Sequence, residues 1–429
     1  MKIYLDTIGC RLNQSEIESY ARQFRAAGHL LVADPAQADL AVINTCTVTA
    51  PAAADSRKKI RAMQRAGVAQ IAVTGCWSTL NPQLAAGLPG VSHVIPNRQK
   101  DELVSEILGL TQEQFEFEPL ARQPIPGSRL RTRAFIKAQD GCDNRCTFCI
   151  TTVARGQGRS RPVAEILQDI HSALQGDSQE IVLTGVHLGS WGQDLDQPAG
   201  IRDLVEAILR QDDQHWQALA RLRLSSLEPW DLDEGFFSLW SDARLARHLH
   251  LPLQSGSLAT LRRMARKTTP ESFAQLIHAA RAAIPGVAIT TDIIVGFPGE
   301  SDAEFEQSRS FVDQMAFAGG HVFTYSARPG TAAARMPGQI PVQLRKSRNA
   351  SMRTTIEQLS HAYQRQFLGQ ELAVLWESTS LMEPGQWEMS GLSDNYLRVT
   401  ARAQRELWNQ ITKVRLTGIG SEGLYGQVV

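Results

Sequence analysis

The sequence predicts an α/β chain in three parts. An N-terminal doubly wound parallel sheet occupies residues 1–110, a central partial (β/α)6 barrel residues 134–369, and a C-terminal small antiparallel β-barrel residues 370–429; residues 111–133 form a linker. Three observations predict this. Strand-like and helix-like segments alternate through both large regions, as parallel sheets require. A stretch with three prolines and little periodicity, "TQEQFEFEPLARQPIPGSRLRTR", separates the two. The final 60 residues break into short strands with glycine turns.

In chain order, "KIYLDTI" reads as a strand and Asn13 to Ala27 as a helix. "DLAVINT" is a buried-strand run, followed by a helix over Ala52 to Arg65. "QIAVTG" is the third strand, Pro82 to Ala86 start a short helix, and "VSHVIP" with a helix over Lys100 to Leu108 completes a fourth unit. After the linker come "AFIKAQDG" and a helix after Pro162, "EIVLTGV" and a helix near Asp203, then "RLRLSSL" and a helix near Asp233. "HLHLPLQ" follows with helices near Leu258 and Phe273, then "VAITTDIIVGF" with a helix near Ala303, and finally "HVFTYS". Six strands at this spacing suit a partial barrel, whose catalytic groups lie at the strands' carboxyl ends. A polar, basic helix runs from Val342 to Phe367, before "ELAVLWEST", "QWEMSGLSD", "NYLRVTAR", "ITKVRLTGIG" and "LYGQVV".

Lys+Arg and Asp+Glu each number 44, so a general nucleic-acid binder with a strongly basic surface is disfavoured, while a specific RNA enzyme with local basic clusters is not. Polar residues interrupt the N-terminal "MKIYLDTIGC", and no run of about 18 apolar residues occurs. The chain therefore reads as cytoplasmic, with no membrane partner. Six cysteines in that compartment point to metal ligands or catalytic thiols.

Cys10, Cys46 and Cys76 each follow a predicted strand of the first region. Ligands of open α/β sheets bind at that edge, so three cysteines distant in sequence converge on one metal site. Taken singly, each would be an ordinary buried small residue. The other three lie together in "DGCDNRCTFC": Cys142, Cys146 and Cys149, spaced C-x3-C-x2-C after the first strand of the barrel. Structural zinc usually takes two C-x2-C pairs, and no second pair exists here. Three thiolates suit three irons of a [4Fe–4S] cluster and leave the fourth iron open to a small chelating molecule. Phe148 is placed to shield the cluster or touch that molecule.

The spacing, with an aromatic before the last cysteine, resembles the radical S-adenosylmethionine superfamily, in which the cofactor's methionine end takes the open iron. "TIGCRLNQSEIES", "VINTCTVT" and "TGCWS" resemble the three cysteine segments of the methylthiotransferase N-terminal domain. "ARGQGRSRP", "LTGVHLGSWG", "LRLSSLEP", "HLHLPLQSGS", "TDIIVGFPGE" and "YSARPGTAA" resemble that family's barrel motifs, and "GLSDNYLRV" its TRAM domain, a small RNA-binding barrel. "NTCTVTAPAAADSRKKIR" is most like the type acting on threonylcarbamoyladenosine beside the tRNA anticodon. Asp143, Phe148 and Trp77 depart from the residues usual there, and none of these departures removes a ligand.

The resemblance implies two [4Fe–4S] clusters, the second on Cys10, Cys46 and Cys76, with S-adenosyl-L-methionine as cofactor. One cluster cleaves it to a 5′-deoxyadenosyl radical; the other presents the sulfur that reaches carbon 2 of the adenine. Implied partners are the anticodon stem-loop of tRNA, an electron donor such as flavodoxin or ferredoxin, and a sulfur source. Methylthiolation of isopentenyladenosine or of a ribosomal-protein aspartate is the alternative within the family. A non-catalytic iron–sulfur RNA-binding module is the alternative outside it, disfavoured by the full set of strand-end motifs.

Further residues follow strand ends. Glu228 is a candidate for the cofactor's ribose or else a surface carboxylate, and Gly185 is a close backbone approach or else a tight turn. Gln254, Ser255 and Gly296 are further cofactor candidates. Arg155, Arg159 and Arg161 flank the cysteine loop as candidates for RNA phosphates. Arg262, Arg263, Arg266 and Lys267 form a second basic run, more simply a solvated helix face. Arg398, Arg402, Arg405, Lys413 and Arg415 are the candidates in the C-terminal barrel.

Overall fold

The computed structural model describes residues 1–110, 121–127 and 131–429. Most of the predicted linker lies outside the described residues. The first sheet has order β2-β1-β3-β4-β5, all parallel, from β1 (Lys2–Thr7), β2 (Leu30–Leu31), β3 (Leu40–Thr45), β4 (Gln70–Gly75) and β5 (Val91–Val94). Every residue of β3 is buried, which its unbroken apolar run anticipates for a strand covered on both faces. Its helices are α1 (Arg11–Ala26), α2 (Ala50–Arg65), α3 (Cys76–Leu80), α4 (Pro82–Ala86) and α5 (Leu103–Leu108). Two begin earlier than expected. Thr49 accepts from the Ala52 N–H and admits Pro51 into the first turn of α2. Asn13 lies within α1 because its side chain donates to the Ile8 and Thr45 carbonyls.

The central barrel consists of β6 (Arg133–Lys137), β9 (Glu180–Thr184), β10 (Arg221–Leu224), β11 (His248–His250), β12 (Ala288–Val295) and β13 (Gly319–Thr324). Two three-stranded parallel sheets, β10-β9-β6 and β11-β12-β13, are joined by parallel bridges at Leu222–Leu245 and Ser226–His250. Between the first two strands lie β7 (Gln139–Asp140), α6 (Ile150–Arg155), β8 (Arg159–Ser160) and α7 (Val163–Gln175). α8 (Ile201–Leu209), α9 (Leu258–Arg263), α10 (Pro270–Ala283), α11 (Asp302–Met315) and α12 (Val342–Arg365) follow. The helix expected near Asp233 is a 3₁₀ helix, Glu234–Ser241, whose first turn Asp233 caps through the Phe236 N–H. α1 lies along β6, and the Lys137 N–H donates to Ser15 Oγ at 3.1 Å, so part of an otherwise open edge is satisfied by the N-terminal unit.

The C-terminal residues close a barrel in the order β14-β15-β16-β18-β17: β14 (Glu371–Glu383), β15 (Gln386–Ser393), β16 (Arg398–Ala403), β17 (Ile411–Gly420) and β18 (Gly423–Val428). It is not wholly antiparallel, because β16 and β18 pair in parallel. β18 returns from β17 by a hairpin and can close the circle on β16 only in that sense. Glu180 anchors this barrel to the central one. Fully buried, it holds Arg223 (2.6 Å) and Arg221 (3.1 Å), which donate to the carbonyls of Asp394 and Leu392. No helix among the described residues is long and apolar enough to cross a membrane.

Candidate active site

Adjacent strand ends build the first cysteine set. Thr7 lies opposite Asn44, and Thr45 opposite Gly75, so Cys46 and Cys76 leave the sheet at one level. Gly9 brings Cys10 up to them. Its φ is +123°, and a Cβ there would sit 3.1 Å from Cys46 Sγ, a position that excludes any side chain. The Cys10 thiol donates to Asn13 Oδ1 (3.5 Å), and Asn97 Nδ2 donates to Cys76 Sγ (3.7 Å). Burial pushes the Cys46 thiol up, and the nearby Cys76 and Cys10 thiols push it the same way, so the three share one electrostatic field.

The second set rings the loop after β7. Cys142 Sγ accepts from the Asn144 N–H at 3.4 Å, and the Cys149 N–H donates to the Cys146 carbonyl at 3.0 Å. Arg266 approaches Cys146 Sγ to 3.7 Å, grips Glu228 at 2.6 and 3.0 Å, and lies 4.5 Å over the Trp230 ring. His187 sits beside Cys142, 2.6 Å from Asp231. Burial disfavours its cation, but Asp231 and Cys142 outweigh burial and raise its pKa to about 9. Phe148 packs with Met264, Phe297, Tyr325 and Ala333, forming an apolar wall.

Among the described residues no group of three or more His, Cys, Asp or Glu is arranged to hold a single metal ion. Neither set is drawn together as a mononuclear zinc site would be. Three soft thiols per set, with N–H donors aimed at sulfur, suit a polynuclear iron–sulfur centre. The residues fit that group.

Comparison with known proteins places this arrangement. Residues 136–312 match the radical SAM superfamily model, and residues 2–95 match the model described as uncharacterized protein family UPF0004. The threonylcarbamoyladenosine tRNA methylthiotransferase MtaB of Bacillus subtilis is 34% identical over 438 residues, covering 99% of this chain and 96% of that protein. The chain belongs to the radical SAM tRNA methylthiotransferases. MtaB of Thermotoga maritima is 32% identical to this methylthiotransferase, covering 98% of the chain and 96% of the relative. The tRNA-2-methylthio-N(6)-dimethylallyladenosine synthase of Cereibacter sphaeroides is 31% identical, covering 99% and 98%. Among solved structures, the radical S-adenosylmethionine methyltransferase TsrM from Kitasatospora setae, with tryptophan and a SAM analogue bound, superposes with a TM-score of 0.60. Its identity is 16%, and the match covers 78% of this chain and 75% of that one, which supports the fold alone.

Several arginines of the methylthiotransferase do other work than RNA binding. Arg155 is 3% exposed and donates to Asp140 (2.8 Å), Glu16 (3.1 Å) and Asn13 (2.8 Å), so it has no path to phosphate. Arg161 is spent on Asp169 (2.7 Å), Glu165 (3.1 Å) and the Lys137 carbonyl. Arg266 is buried on Glu228, so the second basic run is not a continuous RNA face. Arg263 likewise pairs with Glu304 at 2.6 Å. Arg159 keeps an exposed side chain, 3.6 Å from Asp140.

The smaller cofactor candidates are placed as follows. Glu228 is neither free nor merely superficial, because Arg266 holds it beside Cys146. A Cβ on Gly185 would meet Gln139 Oε1 at 3.1 Å and Leu188 Cα at 3.2 Å, so its closeness serves packing. The side-chain space of Gly296 is filled by Arg345, and its N–H donates to Glu300. Gln254 holds a left-handed backbone, φ +70°, and Ser255 Oγ accepts from the Ser257 N–H. Arg398 and Lys413 are exposed on the C-terminal barrel.

Between the two cysteine sets lies a buried charge network that sequence reading missed. Lys100, fully buried, pairs with Glu16 and, at 2.9 Å, with Asp140; Arg155 completes two cations against two carboxylates. Burial would raise both carboxyls, yet Lys100 and Arg155 hold them below the usual range. Asn97 Nδ2 also donates to the Ala154 carbonyl at 2.8 Å. The last turn of α6 thus touches both asparagines that contact Cys10 and Cys76, and its first residue follows Cys149. Asn13, three residues after Cys10, carried a local signal as an amide in a first helical turn; Asn97 carried none.

Proposed function

We propose that this methylthiotransferase converts threonylcarbamoyladenosine beside the tRNA anticodon to its 2-methylthio derivative. The observation that carries the reading is the pair of three-cysteine sets, each on its own strand ends, in a chain that aligns over nearly its whole length with relatives named for that reaction. The chemistry supplied by clusters on Cys142/Cys146/Cys149 and Cys10/Cys46/Cys76 is reductive cleavage of S-adenosylmethionine and donation of sulfur. The rest falls to the protein's own residues. Arg266 and the Asn144 N–H stabilise thiolate charge on Cys146 and Cys142. His187, clamped by Asp231, fixes the loop, and the Phe148 wall keeps water from it. Asn13 and Asn97 orient Cys10 and Cys76. A flavodoxin or ferredoxin supplies electrons, a separate donor supplies sulfur, and the reaction runs in the cytoplasm.

Nucleoside mass spectrometry of tRNA from cells lacking the protein should show 2-methylthio-threonylcarbamoyladenosine replaced by its unmodified precursor. Loss of the isopentenyladenosine derivative instead would reject this substrate.

The cysteine sets should separate in vitro. With Cys10→Ala, anaerobic reduction with S-adenosylmethionine still yields 5′-deoxyadenosine, but methylthiolated tRNA is lost. Replacing Cys142, Cys146 and Cys149 by alanine abolishes 5′-deoxyadenosine and leaves about half of the roughly eight irons that two four-iron clusters contain. Absence of 5′-deoxyadenosine from wild-type enzyme with intact clusters would favour a non-catalytic binding module.

A further inference from the structure

We propose that Arg11, aimed by Tyr396, receives the carboxylate on the N6 substituent of the substrate adenosine and so selects threonylcarbamoyladenosine. The inference rests on the function proposed above and adds the residue that reads the substituent.

The inner face of the central barrel is polar and open where β11, β12 and β13 line it. Along β12, Ile289, Thr291, Ile293 and Val295 are buried in the core, whereas Thr290, Asp292 and Ile294 alternate with them and are half-exposed. Register sets His250 beside Thr290, His321 beside Asp292 and Phe323 beside Ile294. Both cysteine sets border this space. Phe148, next to Cys149, packs on the same apolar cluster as Ile294. Arg328, after β13, donates to Thr47 Oγ1 beside Cys46 at 2.8 Å. Arg11, beside Cys10, donates to the Tyr396 hydroxyl at 2.9 Å. Tyr396 in turn stacks on His248, with ring centres 4.2 Å apart and planes 8° from parallel, and His248 is 2.9 Å from Thr290 Oγ1 on the inner face.

Two features set Arg11 apart from a brace between units. Tyr396 reaches it from a turn of the C-terminal barrel with φ +63°, a left-handed backbone unfavourable for an aromatic residue. Ser393 fixes that turn: its carbonyl accepts from the Tyr396 N–H at 3.1 Å, and its N–H donates to the Leu397 carbonyl at 3.0 Å. The second feature is charge. Arg223 lies over the same ring at 5.1 Å and is neutralised by Glu180. Arg11 has no carboxylate partner among the described residues. The substrate's chemistry supplies one. Carbons 2 and 6 of adenine flank N1, so a residue beside the cysteine set assigned to sulfur donation lies near whatever N6 carries. Threonylcarbamoyl ends in a carboxylate, which a guanidinium takes through two parallel hydrogen bonds. A dimethylallyl group is hydrocarbon and would desolvate the cation without pairing it. Two more inner-face atoms, Asp292 Oδ1 and His248 Nδ1, are buried without a hydrogen-bond partner among the described residues. They too suit a polar substituent over a hydrocarbon one.

The test uses the reconstituted full-length enzyme, kept anaerobic, and three synthetic anticodon stem-loops. One carries threonylcarbamoyladenosine, one its carboxyl methyl ester and one isopentenyladenosine. Methylthiolation gives kcat/KM, and anisotropy gives Kd. The wild type should prefer the acid to the ester about 10- to 100-fold, the worth of one hydrogen-bonded charge pair. In Arg11→Gln, which keeps a donor for Tyr396, that preference should collapse in both Kd and kcat/KM. Arg11→Lys should retain part of it. Tyr396→Phe, which removes only the aiming hydroxyl, should reduce it severalfold; loss of a mere brace would lower acid and ester together. Iron content and the electron paramagnetic resonance signals of the reduced clusters, measured in each variant, separate loss of the carboxylate contact from damage at Cys10. Should Arg11→Gln disturb that cluster, Tyr396→Phe decides. An undiminished preference for the acid in both Arg11→Gln and Tyr396→Phe, or a wild type that treats acid and ester alike, overturns the assignment and leaves the substrate reading intact. A wild type that modifies only the isopentenyl stem-loop overturns that reading itself.

Discussion

Arg155→Ala is expected to cost the protein about 3–5 kcal/mol, because it leaves Glu16 and Asp140 buried with one cation between them. The loss should appear in urea unfolding as a lower midpoint. Arg155→Lys should recover only part of it, since a single ammonium cannot reach Asp140, Glu16 and Asn13 in the fork geometry of a guanidinium. Pairing Arg155→Met with Glu16→Gln removes one charge of each sign and should be milder than Arg155→Met alone. If the single and double variants unfold at the same midpoint, the network is not what holds the two units.

The second large effect lies at the opposite face of the barrel. Glu180→Gln should cost a similar 3–5 kcal/mol, for it strands Arg223 and Arg221 where no other carboxylate contacts them within the described residues. Burial alone would raise the Glu180 carboxyl, but Arg223 and Arg221 outweigh it and hold its pKa at about 2. A carboxyl depressed in the folded state stabilises at pH above its unfolded value, about 4.3, and that contribution is lost as pH falls towards 2. The shift corresponds to about 3 kcal/mol. Because both arginines also hold carbonyls of the C-terminal barrel, acid should first expose that barrel. Limited proteolysis between pH 5 and pH 3 should release a fragment near residue 371 from the wild type, and Glu180→Gln should release it at both. Equal resistance at both pH values in the wild type would argue against this anchor.

The elements and both cysteine sets were legible because their signals are local. Apolar runs such as "LAVINT" and strand-end cysteines speak through spacing alone. What stayed hidden depends on tertiary pairing. Nothing in "ARGQGRSRP" distinguishes the buried Arg155 from the exposed Arg159, because each is set by a partner more than ten residues away, Glu16 and Asp140 for one and Asp140 for the other. The parallel closure of the last barrel was unreadable for the same reason. Strand patterns report which face is inward, not which edge finds which neighbour.

α6 has six residues, about 9 Å at 1.5 Å per residue, and is anchored at both ends. It acts as a ruler between the two cysteine sets. Adding one residue to it would turn Arg155 by about 100° away from Asn13 and lengthen the gap by about 1.5 Å, with every cysteine still in place. Loops elsewhere absorb such changes. Here both ends are held, and a turn and a half of helix sets the spacing between the two cysteine sets.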